Sequence, residues 1–138
     1  MNARLPETDD GTPVVEIRIP ARAEWVAVAR LAVAAVGSRF DLSVEDIEDL
    51  KLAVAEACTI CIRRTRDRDQ VELVCRAAPD RLHITVRNAT GGNHLTVADP
   101  DDTLALVIVE SLMEDVSLRT DGGSTIVEMS KRTAAEDA

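Results

Sequence analysis

Aromatic residues are almost absent from this sequence: Trp25 and Phe40 are the only two, and the aromatic share of the 138 residues is 1%. Holding nucleic acid by stacking bases on aromatic side chains is therefore excluded. Cations are also in the minority, with 16 Lys and Arg against 25 Asp and Glu and a formal charge of −9. Phosphate neutralisation cannot drive binding in such a chain, so direct nucleic-acid binding is not expected and a basic protein partner suits it better. No apolar run approaches the roughly 20 residues needed to cross a bilayer. Met1 to Gly11 contains no apolar stretch of the signal-peptide type, so no membrane association and a cytoplasmic location are expected. Three cysteines, an odd number, do not make a disulfide framework.

What is present is enough for one ordinary core, since 46% of the residues are hydrophobic and a chain of this length buries roughly two thirds of its unfolded surface. Residues 1–13 are polar and carry two prolines, residues 133–138 are similar, and both read as flexible tails around a single domain over 14–132. Val15, Ile17 and Ile19 alternate with charged residues, a half-buried strand ended by Pro20. Arg22 to Phe40 carries Trp25, Ala29, Ala32, Val36 and Phe40 at helical spacing. Ser43 opens a second helix with Asp46 completing a capping box, and its stripe of Val44, Ile47, Leu50, Val54, Ala57 or Cys58, and Cys61 runs to about Arg64. Strands follow at Val71–Arg76 and Leu82–Arg87, then a loop from Asn88 to Asp102. Asp102 or Thr103 caps a third helix reaching about Glu114. Val116–Arg119 and Thr125–Lys131 form a closing hairpin around Asp121-Gly122-Gly123. This order predicts an α/β (α+β) two-layer sandwich, helices on one face of a mostly antiparallel sheet.

Few residues stand out chemically. Glu56 shares a helix face with Leu52, Ala53, Ile60 and Ile62, a setting that desolvates a carboxylate and suits a general base. A charge at the mouth of a groove, or one paired with an arginine, is the alternative. Cys58 and Cys61 form a C-x-x-C in mid-helix, whereas redox pairs use helix N-termini. A zinc site would need Cys58, Cys61, Cys75 and His83 to converge. Gly91-Gly92 offers backbone amides to an anion, but Asp99, Asp101 and Asp102 crowd the start of the third helix and repel phosphate there.

The run Ile47-Glu48-Asp49-Leu50-Lys51-Leu52-Ala53-Val54-Ala55-Glu56-Ala57-Cys58-Thr59 closely resembles a segment of the bacterial serine-kinase anti-sigma factors of the RsbW and SpoIIAB type. Pro20 to Leu31, Glu110 to Val116, and Gly123-Ser124-Thr125-Ile126 followed by Lys131 agree in order and spacing, so the resemblance covers about Val14 to Arg132. It implies the GHKL (Bergerat-type) ATPase fold shared with histidine kinases, gyrase and Hsp90. It also implies binding to an RNA polymerase sigma factor and to a STAS-type anti-anti-sigma protein, which active members phosphorylate on serine with Mg-ATP, and a homodimer formed through the sheet edge and first helix.

Carried over residue by residue, Glu56 falls at the family's general base, and Arg30 at an arginine that contacts both protein partners. Ile60 replaces the asparagine that helps hold magnesium, and a hydrocarbon cannot ligate a hard cation. Asn88 stands at the adenine-reading aspartate, Thr90 and Gly92 at the two glycines of the next box, and Thr103 and Ala105 at glycines opening the third helix. Gly123-Ser124-Thr125 keeps the last box, which makes Asn88, Gly92 and Thr125 the candidate cofactor-binding residues, with no metal ligand among them. The expected function is a degenerate member that sequesters a sigma factor, is released by partner exchange, requires no cofactor, binds ATP and magnesium weakly if at all, and has little or no kinase activity. Two alternatives stand beside it: an active serine kinase using Glu56, and a binding module switched by Cys58 and Cys61 thiol chemistry.

Overall fold

The computed structural model describes residues 13–65, 69–88 and 100–133. The expected tails and the glycine loop, with Thr90, Gly91, Gly92, His94 and Asp99, lie outside the described residues, except for Pro13 and Thr133. Pro13 accepts from the Ala77 amide at 3.5 Å, and the Thr133 amide donates to Asp80 O at 3.0 Å.

Strand β1 (Val14–Pro20) leads through one 3-10 turn (Ala23–Trp25) into helix α1 (Val26–Gly37) and helix α2 (Val44–Arg63). Strands β2 (Gln70–Ala78) and β3 (Arg81–Asn88), helix α3 (Pro100–Leu112), and strands β4 (Glu114–Asp121) and β5 (Ser124–Arg132) complete the order. The sheet runs β1-β2-β3-β5-β4, and every neighbouring pair is antiparallel. The two-layer α+β architecture is the one the sequence predicts. Among the described residues, no helix is long and apolar enough to cross a membrane.

Alternation along the strands decides what faces the helices. Ile19, Val71, Leu73, Cys75, Leu82, Ile84, Val86, Val127 and Met129 form the sheet side of the core, against Leu50, Ala53, Val54, Ala57, Cys58, Ile60 and Cys61 of α2. On the opposite face Glu72 is nevertheless buried, because Arg18 on β1 and Arg87 on β3 each donate to one of its carboxylate oxygens, at 3.0 and 2.7 Å. Gly122 (φ 57°) and Gly123 (φ 87°) turn β4 into β5, and two successive positive φ values are what a tight hairpin demands.

Three expectations need correction. Helix α1 is shorter than Arg22–Phe40, because 3-10 bonds from the Arg39 amide to Val36 O and from the Phe40 amide to Gly37 O tighten and end it. Its inner stripe is Ala29, Val33 and Gly37, with Val26 and Val36 half-buried beside it. Trp25 is 42% exposed and stands outside that stripe. Gly37 admits the close approach of α2, since an added Cβ would lie 3.2 Å from both Leu42 and Leu50. Helix α3 begins at Pro100, so Asp102 sits in its first turn rather than before it. Val44 heads the α2 stripe in sequence but points to solvent, whereas the Ser43 cap forms as expected, its hydroxyl accepting from the Asp46 amide at 3.0 Å.

Candidate functional site

The last turn of α2 is where helices and sheet meet. A helix ends with carbonyls that have no partner in their own helix, and here Cys61 O receives two donors from outside the backbone. Asn88 Nδ2, at the end of β3, donates to Cys61 O at 3.0 Å and also to Thr65 Oγ1 at 2.6 Å. The Thr65 hydroxyl donates to Cys61 O, and Asn88 Oδ1 accepts from the Thr125 amide at 2.6 Å. Asn88 is buried, and both of its amide protons and its oxygen are engaged within the fold. Thr125 is buried beside it, and its hydroxyl oxygen has no hydrogen-bond partner among the described residues.

Asn88 and Thr125, two of the candidate cofactor-binding residues, lie together and face each other and the α2 turn. Ile60 is fully buried in the core, where it fills space and supplies no oxygen. Glu56 is half-buried and makes no hydrogen bond or ion pair with a described residue, so the alternative in which an arginine pairs with it finds no such arginine among them. Thr103 and Ala105, which stand at the glycine positions opening the third helix in the resemblance, diverge: Thr103 is exposed, and Ala105 packs into the core. Asp102 is also not the bare repelling charge expected. It is 3% exposed, with Oδ1 accepting from Arg63 at 3.1 Å and Oδ2 from Arg64 at 2.9 Å.

The thiol and zinc readings find no support in the geometry. Cys58, Cys61 and Cys75 are free and buried. Burial pushes the Cys58 and Cys75 thiols up to about 12 and raises Cys61 further, so thiolate is scarce at neutral pH. Cys61 is a weak donor to Val86 O and Thr125 O at 3.6 and 3.8 Å, a core role. His83 lies on the sheet face opposite Cys75, since its register partner is Arg76 while that of Cys75 is Ile84. Among the described residues no group of three His, Cys, Asp or Glu side chains is placed to hold a metal ion.

Arg30 lies on the exposed side of α1 with no ion pair to a described residue, beside Val28 and Leu31, which are 42% and 69% exposed. Trp25 precedes them at the same helical spacing. Lys131, singled out only as part of a pattern, ties three elements together: Nζ donates to Leu112 O at 2.7 Å and to Asp49 at 3.3 Å, with Asp46 at 3.8 Å. Thr65, Arg63 and Arg64 carry no local signal that marks them, because their partners lie 23 to 39 residues away.

The histidine kinase-like ATPase domain family matches residues 19–131. The serine-protein kinase RsbW of Bacillus mycoides is 32% identical over 130 residues, covering 82% of this chain and 81% of the relative. The chain belongs to the RsbW-type histidine kinase-like ATPase domains. RsbW of Bacillus cereus strain Q1 matches equally, at 32% identity over the same shares. In solved structures, the fold is that of the crystallised RsbU and RsbW domains of Rv1364c from Mycobacterium tuberculosis, with a TM-score of 0.69 at 16% identity. That match covers 88% of this chain and 33% of the crystallised one, so the present chain spans about a third of its length. In this chain Glu56 is a half-buried carboxylate, Thr125 carries a buried hydroxyl, and the Asn88 amide is engaged internally.

Proposed function

We propose that this protein is an anti-sigma factor that sequesters a sigma factor by protein contact, needs no ATP to do so, and releases it when an anti-anti-sigma protein of STAS type takes its place. The observation that carries the nucleotide-independent part is Asn88: its amide protons are held by Cys61 O and Thr65 Oγ1 and its oxygen by the Thr125 amide, so it offers an adenine amine a single neutral lone pair, a weaker acceptor than a carboxylate. Ile60 supports the same reading, since magnesium demands oxygen ligands. The partner surface in this proposal is the outer side of α1, where the guanidinium of Arg30, without an ion pair among the described residues, stands beside the apolar side chains of Val28 and Leu31. Arginine flanked by apolar surface is the composition typical of binding hot spots. The free edge of β1 and the start of α1, with Trp25, are the proposed homodimer contact. The setting is cytoplasmic, with proteins rather than nucleic acid or membrane as partners.

The test is titration of the purified chain with a sigma factor from its own genome, with and without Mg-ATP. A one-to-one or two-to-one complex of equal affinity in both conditions is expected, and Arg30→Ala weakens it about tenfold or more. A complex that forms only with Mg-ATP refutes the proposal.

A second reading, an active serine kinase, has specific observations in its favour: the Glu56 carboxylate is half-buried and unpaired among the described residues, and the Thr125 hydroxyl lacks a partner. It predicts phosphate transfer to the anti-anti-sigma protein that Glu56→Gln abolishes. No transfer by the unmodified protein ends that reading.

A further inference from the structure

Helix α2 ends in Arg63-Arg64, and the first turn of α3 contains Asp102. The end of one helix favours cations and the start of another favours anions, so these termini attract even before any side-chain contact. The contact made is specific: Asp102 Oδ1 accepts from Arg63 Nη1 at 3.1 Å, and Oδ2 accepts from Arg64 Nε and lies 2.9 Å from Nη2. The Asp102 carboxylate is nearly inaccessible, and Arg64 is largely covered as well. A desolvated carboxylate between two guanidiniums at a helix N-terminus occupies the setting in which proteins hold phosphoryl groups. The same α2 turn is fastened to β3 by Asn88, so α3 is coupled through it to the sheet.

We propose that Asp102, Arg63 and Arg64 form an internal clasp that closes the first turn of α3 onto α2 without a bound anion, the carboxylate of the chain standing where a phosphoryl group would otherwise be held. The clasp rests on the nucleotide-independent reading above and supplies its conformational basis: the start of α3 is already closed, so no nucleotide is required to order it.

Hydrogen exchange by amide across the full chain tests the clasp in the unmodified protein, in Asp102→Asn and in Arg63→Met/Arg64→Met. In the unmodified protein, millimolar sodium pyrophosphate and Mg-ATP leave exchange at 103–107 unchanged. In Asp102→Asn, exchange at 103–107 accelerates about tenfold while β3 and β5 keep their protection. Pyrophosphate then restores protection, because the guanidiniums are free to take it. Arg63→Met/Arg64→Met opens the same amides but is not rescued by pyrophosphate. Exchange like the unmodified protein in Asp102→Asn, equal acceleration in every element, absence of rescue there, or protection of the unmodified protein by pyrophosphate each overturns the clasp. Sigma-factor binding that requires Mg-ATP, with exchange at 103–107 unchanged, refutes the nucleotide-independent reading and leaves the clasp standing.

Discussion

Replacing Asn88 by aspartate installs the residue type that the family resemblance implies for reading adenine, and the hydrogen bonds of this protein predict that the change is harmful. The amide donates to Cys61 O at 3.0 Å and to Thr65 Oγ1 at 2.6 Å, and accepts from the Thr125 amide at 2.6 Å. A carboxylate keeps only the last of these bonds. The Thr65 hydroxyl can turn to donate to the new oxygen, but it then abandons Cys61 O. Either way Cys61 O loses one donor, at about 1 kcal/mol because it still accepts from the Arg64 amide at 3.2 Å, and an anion then faces that carbonyl in a buried site. Asn88→Asp is therefore expected to lower stability by about 3 kcal/mol at pH 7.5. Burial and the facing carbonyl raise the introduced carboxyl above its unfolded value of about 4, so the neutral form is the one the fold accepts. The variant thus approaches the stability of the unmodified protein only near or below pH 4, and the deficit grows as pH rises through the folded pKa. Urea unfolding at several pH values between 4.5 and 7.5 reads this directly. Equal stability of the two proteins at pH 7.5, or tight ATP binding by Asn88→Asp without a loss of stability, would refute the assignment of Asn88 to the fold.

Two further outcomes follow from the same cluster. Lys131→Met removes the cation that reaches Leu112 O at 2.7 Å and Asp49 at 3.3 Å, and is expected to cost about 1–2 kcal/mol in urea unfolding. In a double-mutant cycle, an Asp46→Asn/Asp49→Asn background shrinks that loss; an unchanged loss argues for Leu112 O as its sole source. All three thiols resist an aromatic disulfide reagent in the native protein and react after unfolding, because each is buried. Burial raises Cys58 and Cys75 from 9.0 to about 12, so this part of the stability is intact below pH 9 and is lost as pH rises from 9 towards 12. Rapid native labelling at pH 8 would contradict that burial.

The layers of the fold are legible because each element carries its own periodicity: Val15, Ile17 and Ile19 alternate, and the α2 stripe repeats at helical spacing. The Ser43 cap is legible for the same reason, its donor being three residues away. Where the sequence misleads, size stands in for position. Trp25 reads as core because it is large, yet the residues that set the spacing of α1 and α2 are Val33 and a glycine, Gly37, whose value lies in having no side chain. The site is less legible still. Arg63, Arg64 and Asp102 are ordinary charges in sequence, and only the crossing of α2 and α3 brings them together.

Taken one at a time, Ile60 and Asn88 look like losses from a nucleotide site; packed together they are mutually supporting. An amide at position 88 can donate to the end of α2, which a carboxylate cannot, and the resulting bond fixes the turn that also presents Arg63 and Arg64 to Asp102. Ile60 fills the core on the same helix, one residue before that carbonyl. Asn88→Asp removes a donor from both Cys61 O and Thr65 Oγ1, and a polar residue in place of Ile60 enters an apolar core, so single substitutions at either position lower stability before they can restore a ligand. The physical prediction is non-additivity: Asn88→Asp combined with Thr65→Gly, which removes the hydroxyl and opens space at the α2 turn, costs less than the sum of the two changes measured separately. Strict additivity in urea unfolding would show that Asn88 and Thr65 act independently, and the network described here would then not be a network.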